Sequence, residues 1–98
     1  MALTPERKVK VKVLKELASL GAYTVLPVTG GFGNSGVPDI LCCYKGLFIG
    51  IECKAQGGKP TALQWSNLKA IEGAGGYSFV VDETNMNNVG VLIQSLRS

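Results

Sequence analysis

Two apolar runs, Ile40 to Tyr44 and Leu47 to Ile51, meet at Lys45-Gly46, and this short interruption constrains the fold more than any other part of the sequence. Strands joined by so short a turn pair antiparallel, and glycine at the second turn position supplies the positive φ that the turn needs. Tyr44 then faces Leu47, which sets the register along the whole ribbon. Counted outward, that register puts Asp39 opposite Glu52, with Cβ atoms about 4.5 to 5.5 Å apart on one face. Like charges so placed repel. A hard divalent cation between them removes the conflict, and Mg²⁺ or Mn²⁺ suits, since such ions keep water and accept phosphate oxygens as further ligands.

Lys54 lies two residues beyond Glu52 and so shares its face. The Cys53 side chain points the other way, and only its main-chain carbonyl can approach the metal. Two carboxylates, a metal-bound water and an ammonium make a hydrolytic centre, and phosphodiester hydrolysis fits it best. The plainer reading of the same residues makes Asp39 a turn residue after Pro38 and leaves Glu52 and Lys54 on a solvated strand face.

The absence of histidine from all 98 residues makes a metal-carboxylate reading more pointed, because it removes Ser-His-Asp, Cys-His and every imidazole-based scheme. Three cysteines, an odd number without CxxC spacing, argue against both a disulfide framework and structural zinc. A net charge of +3 is compatible with a polyanionic partner. The apolar fraction of 46% with 17% charged residues predicts an ordered globular chain of one domain spanning residues 1–98. The sequence lacks the apolar run of about 18 residues that a membrane span needs, so no membrane association is expected. Residues 1–15 lack the apolar stretch of a signal peptide, which makes a cytoplasmic location the default expectation.

The remaining elements follow from punctuation. Thr4-Pro5-Glu6 starts a helix, and Val9, Val13, Leu17 and Leu20 share one of its faces, so the period-two alternation from Lys8 to Val13 is read as helix and the span as 5–20. A strand over 23–28 is followed by a Gly-rich loop from Thr29 to Gly36, which lacks the GK[ST] ending of a Walker A loop and so predicts no nucleotide cofactor. A second helix is predicted over 60–72, with Thr61 and Gln64 matching a capping box. A strand over 77–81 and a closing helix from Met86 to Leu96 complete an αβββαβα order. The strand-helix-strand unit from Leu47 to Val81 predicts a parallel crossover beside the hairpin, hence an α/β fold with a mixed central sheet flanked by helices.

Taken together, Glu6 early in the first helix, Gly-x-Gly-x-Ser-Gly-Val-Pro-Asp from Gly31 to Asp39, Ile51-Glu52-Cys53-Lys54 and Pro60-Thr61-x-x-Gln64 resemble the virus-type replication-repair nuclease (VRR-NUC) domain of the PD-(D/E)XK nuclease superfamily. The resemblance implies a restriction-endonuclease-like αβββαβ core with a C-terminal helix added. It also implies a DNA repair or phage endonuclease in a bacterial or phage-infected cell, with Asp39 and Glu52 binding Mg²⁺ and Lys54 assisting hydrolysis. A carboxylate on the first helix is implied to join the metal shell through water: Glu6 holds the family's usual place, and Glu16 is its rival, with Lys12 within reach as a surface partner. Gln64 resembles a helix-2 glutamine that holds water or phosphate, against its alternative as a capping residue.

For nucleic acid, Lys8, Lys12, Ser35 and Lys59 are the expected contacts, with Lys10 and Lys15 beside the first two, although a lysine stripe is more often a solvated face. Trp65, between Leu63 and Leu68, is expected to be partly buried packing. No base-reading motif is evident, so the resemblance suggests a homodimer cutting branched DNA such as a Holliday junction. The rivals are a non-catalytic DNA-binding module of the same fold and a flap, fork or restriction-type nuclease.

Overall fold

The structure is a computed structural model and describes residues 3–28 and 35–97. Thr29 to Asn34, which carry Gly31 and Gly33, lie outside the described residues. The first helix, α1, spans Pro5–Leu20 as expected. The Thr4 hydroxyl accepts from the Arg7 amide at 3.2 Å, and at the other end Gly21 and Ala22 donate back to Ala18 and Leu17. These bonds satisfy amides and carbonyls that a helix end leaves free. A 3.6-residue period reaching from Val9 to Leu17 therefore overrules the local alternation.

The first strand, β1, is Tyr23–Val25, three residues shorter than its apolar run. Pro27 has no amide to donate, which is reason enough for pairing to stop there. The hairpin forms in the expected register: β2 (Ile40–Tyr44) pairs with β3 (Leu47–Cys53), with Ile40 opposite Ile51 and Tyr44 opposite Leu47. Both turn residues have positive φ, 49° at Lys45 and 82° at Gly46, so the lysine tolerates a left-handed conformation as well as the glycine. Strand β3 runs two residues past the apolar stretch because its other edge pairs parallel with β4 (Tyr77–Val81), Glu52 matching Val80 and Cys53 matching Val81. Strand order is β1-β2-β3-β4, a mixed sheet with a parallel step at β3.

The second helix, α2, spans Ala62–Gly73 and starts two residues later than its sequence suggests, because Thr61 serves as its cap. The closing segment is not one continuous helix. A 3₁₀ turn over Met86–Asn88 leads into a six-residue helix, α3 (Val89–Gln94), and Leu96 lies beyond it.

Helices α1 and α3 pack on one face of the sheet. Val9, Val13 and Leu17 meet Ile40, Cys42, Ile49 and Ile51, all essentially fully buried, with Val89 and Ile93 closing the side. Each such aliphatic side chain contributes about 1.5 to 3 kcal/mol relative to exposure. Helix α2 lies on the opposite face. It sits so close that a Cβ on Gly50 would come within 2.5 Å of Ile71 Cδ1. Among the described residues, no helix is long and apolar enough to cross a membrane.

Candidate active site

The ladder between β2 and β3 does not stop at Ile40. One residue earlier the main chain has turned away, and the side chain of Asp39 takes over, its Oδ2 accepting from the Cys53 amide at 2.8 Å. The preceding segment is held by Gly36, whose φ is 76° and whose missing Cβ would lie 2.8 Å from Leu63 Cγ, so a side chain there is excluded by both conformation and space. Buried Pro38 follows. Gly36-Val37-Pro38 thus presses against α2 and delivers Asp39 to the end of β3.

Glu52 is the single buried charged residue among the described residues, with 2% of its surface exposed. The ammonium of Lys54 lies 3.3 Å from its Oε2, and Oε1 has no hydrogen-bond partner. Burial foremost, and then the nearby Asp39 charge, push the Glu52 carboxyl above the ordinary glutamate range, with Lys54 pulling the other way. An orphaned carboxylate oxygen in such a place ordinarily carries a penalty of about 1 to 3 kcal/mol, and more when charged.

Of these residues Asp39 lines a small cleft of about 170 Å³, together with Thr4, Glu6, Arg7, Lys10 and Cys53. The Cys53 thiol is buried and pushed up to about 12, first by burial and then by Asp39 and Glu52, so without metal it is a neutral thiol. Among the described residues no group of three or more His, Cys, Asp or Glu side chains could hold a metal ion. The oxygen donors at hand are the carboxylates of Asp39, on the Cys53 amide, and of Glu52, the neighbouring residue. That set suits Mg²⁺, which keeps most of its water, and the free Glu52 Oε1 fits it too.

Asp39, Glu52, Lys54, Cys53 and Glu6 are brought to one end of the sheet. The other expected site residues stand elsewhere or are engaged. Glu16 pairs with Lys12 at 3.4 Å and accepts from the Gly90 amide at 3.1 Å, which ties α1 to the start of α3. Gln64 Oε1 accepts from the Thr61 amide at 2.9 Å, completing the capping box. Lys8 and Lys59 are exposed and do not line the cleft. Ser35 is exposed, and its carbonyl accepts from Asn67 at 3.1 Å.

Arg7 and Lys10 are the cleft cations, of which the sequence pointed to Lys10 only as a companion of the lysine stripe and not to Arg7. Their signal was available, for Lys10 follows Glu6 by one helical turn and both flank the buried Val9. Trp65 is 45% exposed, more open than expected, while Leu68 three residues on is buried.

No protein-family model matches the sequence, and no curated protein does. Solved structures do match the fold. A VRR_NUC domain superposes with a TM-score of 0.76 at 23% identity, covering 97% of this chain and all of that one. Hjc, a Holliday junction resolvase from the archaeal hyperthermophile Archaeoglobus fulgidus, superposes with a TM-score of 0.57 at 20% identity, covering 76% of this chain and 64% of that one. The expected restriction-endonuclease-like architecture is therefore met, and in fold this chain matches a VRR_NUC domain along almost its whole length.

Proposed function

We propose that this chain is a Mg²⁺-dependent endonuclease that hydrolyses phosphodiester bonds in branched DNA, such as Holliday junctions, and works as a homodimer. The observation that carries the reading is buried Glu52, with one carboxylate oxygen unpartnered, beside Asp39 and Lys54 on a fold shared with a VRR_NUC domain. Similarity to an archaeal resolvase supports the choice of branched DNA.

Asp39, Glu52 and the Cys53 carbonyl would hold the ion. When bound, Mg²⁺ supplies a water of lowered pKa and neutralises charge that develops on the phosphate. The rest of the work falls to side chains. A bound cation would relieve the repulsion from Asp39 that helps raise the Glu52 carboxyl. Lys54, freed from its sole duty to Glu52, directs its ammonium at the attacking water or a phosphate oxygen. Arg7 and Lys10 hold the phosphate from the α1 side of the cleft, and Glu6 orders water at its mouth. The Asp39 bond to the Cys53 amide keeps this set in place.

The test is nicking of supercoiled and four-way-junction DNA with Mg²⁺, comparing the native chain with Asp39→Ala. Native protein cuts, and the variant loses more than about a hundredfold in rate while still binding DNA. Binding without Mg²⁺-dependent cutting in both proteins would favour a non-catalytic module instead.

A further inference from the structure

We propose that the outer face of α2 carries a stacking platform for an unpaired nucleobase, formed by Trp65, with Lys69 as the contact for the adjoining phosphate. The proposal rests on the nuclease reading and names which nucleotides of a branched substrate the protein engages beside the scissile bond.

Trp65 is the one tryptophan in the chain, and it stands 45% exposed. It forms a wall shared by two depressions. One is shallow and lined by Ala62, Trp65, Ser66 and Lys69; the other is a groove of about 340 Å³ that continues over Leu68, Phe79 and Val80. Lys69, one turn after Trp65, borders both. Among the described residues the cation stacked over an aromatic ring is Lys45 on Tyr44, so no ammonium covers the indole of Trp65. The groove's carboxylate, Glu72, accepts from the Ser78 hydroxyl at 2.9 Å at its far end.

Position ties this platform to the candidate active site. Val80 is the register partner of Glu52 on the neighbouring strand, so the groove runs level with the buried carboxylate. Helix α2 leaves the same sheet end that carries Lys54, and Trp65 lies in its first turn. A flat apolar ring beside a cation, with serine hydroxyls on the rim, suits a ligand that is both flat and anionic. Nucleotides have that chemistry, and every base has a π-face to offer. Bases stacked within a duplex do not present that face, so the platform takes nucleotides that are unpaired at a branch point or frayed end. A second copy of this chain is a poorer match, because Lys69 and Ser66 interrupt the apolar surface.

Tryptophan emission reports on this residue alone. Single-stranded oligothymidylate, a four-way junction and a closed-end duplex hairpin would be titrated into native protein in EDTA, with binding followed independently by the anisotropy of labelled DNA. Emission is expected to quench in step with binding of the single strand and the junction, and much less with the hairpin. Trp65→Ala should bind the single strand about tenfold more weakly, with Trp65→Phe recovering most of the loss. Single-strand binding with unchanged emission, quenching that is equal for the hairpin, or emission that shifts with protein concentration before DNA is added would overturn the platform. Cutting assays in Mg²⁺ run alongside separate the two readings: native cutting with unchanged emission sinks the platform alone, whereas quenching without native cutting sinks the nuclease reading and leaves the platform standing.

Discussion

At Glu52 the fold holds a charge where it can least accommodate one. Its carboxyl binds a proton more tightly in the folded chain than in the unfolded one, since burial and Asp39 together outweigh Lys54. Without metal, that difference stabilises the fold below the ordinary glutamate value, and the contribution is lost as pH rises through the raised folded value. Glu52→Gln keeps the shape and never ionises. In metal-free buffer the melting temperature of the native chain should therefore fall relative to Glu52→Gln as pH is raised from about 4 to neutral. Mg²⁺ should reverse that order at neutral pH. An ion at about a hundredfold above its Kd adds about 2.7 kcal/mol, which in a domain of this size is roughly 10 °C or more. An unchanged melting temperature with Mg²⁺, measured by calorimetry, would count against the metal site. The cysteines offer a second check at this scale. Burial pushes Cys42 up to about 11 and Cys53 up to about 12, whereas Cys43 is exposed. A thiol reagent near neutral pH should label one cysteine quickly in the native protein and all three after denaturation.

Element by element, the sequence was most legible where local chemistry and long-range packing agree. Thr4, Pro5 and the α1 apolar face marked that helix's start and span, and the Lys45-Gly46 turn fixed the register as far as Ile40 opposite Ile51, beyond which Asp39 meets β3 through its side chain, at the Cys53 amide. It was least legible where a neighbour decides: β3 gains Glu52 and Cys53 from pairing with β4, and Trp65 stands exposed although Leu68, three residues on, is buried. The two rival carboxylates of α1 show the same divide. Both are i, i+4 to a lysine, and nothing local separates them. What separates them is α3, six residues long and too short to persist unaided, whose second amide is taken by Glu16. Glu6 instead lines the cleft. Glu16→Ala should thus lower stability by about 1 kcal/mol in urea melts and leave DNA cutting intact. Glu6→Ala, at an exposed position, should leave the melt unchanged and reduce cutting. The opposite pattern would return Glu16 to the active site.

Across the whole molecule, helices cover the sheet unevenly. One face is closed by α1 and α3, whereas on the other α2 packs chiefly on β3 and β4. Register then lines up Tyr23, Cys43 and Phe48 across three strands, with Tyr23 73% and Phe48 48% exposed. With Val25 and Leu41 they form an apolar depression that has almost no polar lining. The two aromatics alone leave about 250 Å² open, roughly half the apolar area on one side of a standard protein interface. A two-fold pairing of this face would cover it and set two active centres on one assembly, which cutting both strands at a branch requires. Phe48→Asp places a charge in the middle of that face, far from Asp39 and Glu52 along the hairpin. The variant should sediment as a monomer and convert a cruciform plasmid to nicked circles, where the native protein yields linear DNA. If native protein sediments as a monomer well above assay concentrations, or if Phe48→Asp still linearises the plasmid, the homodimer built on this face is wrong even though the single active centre stands.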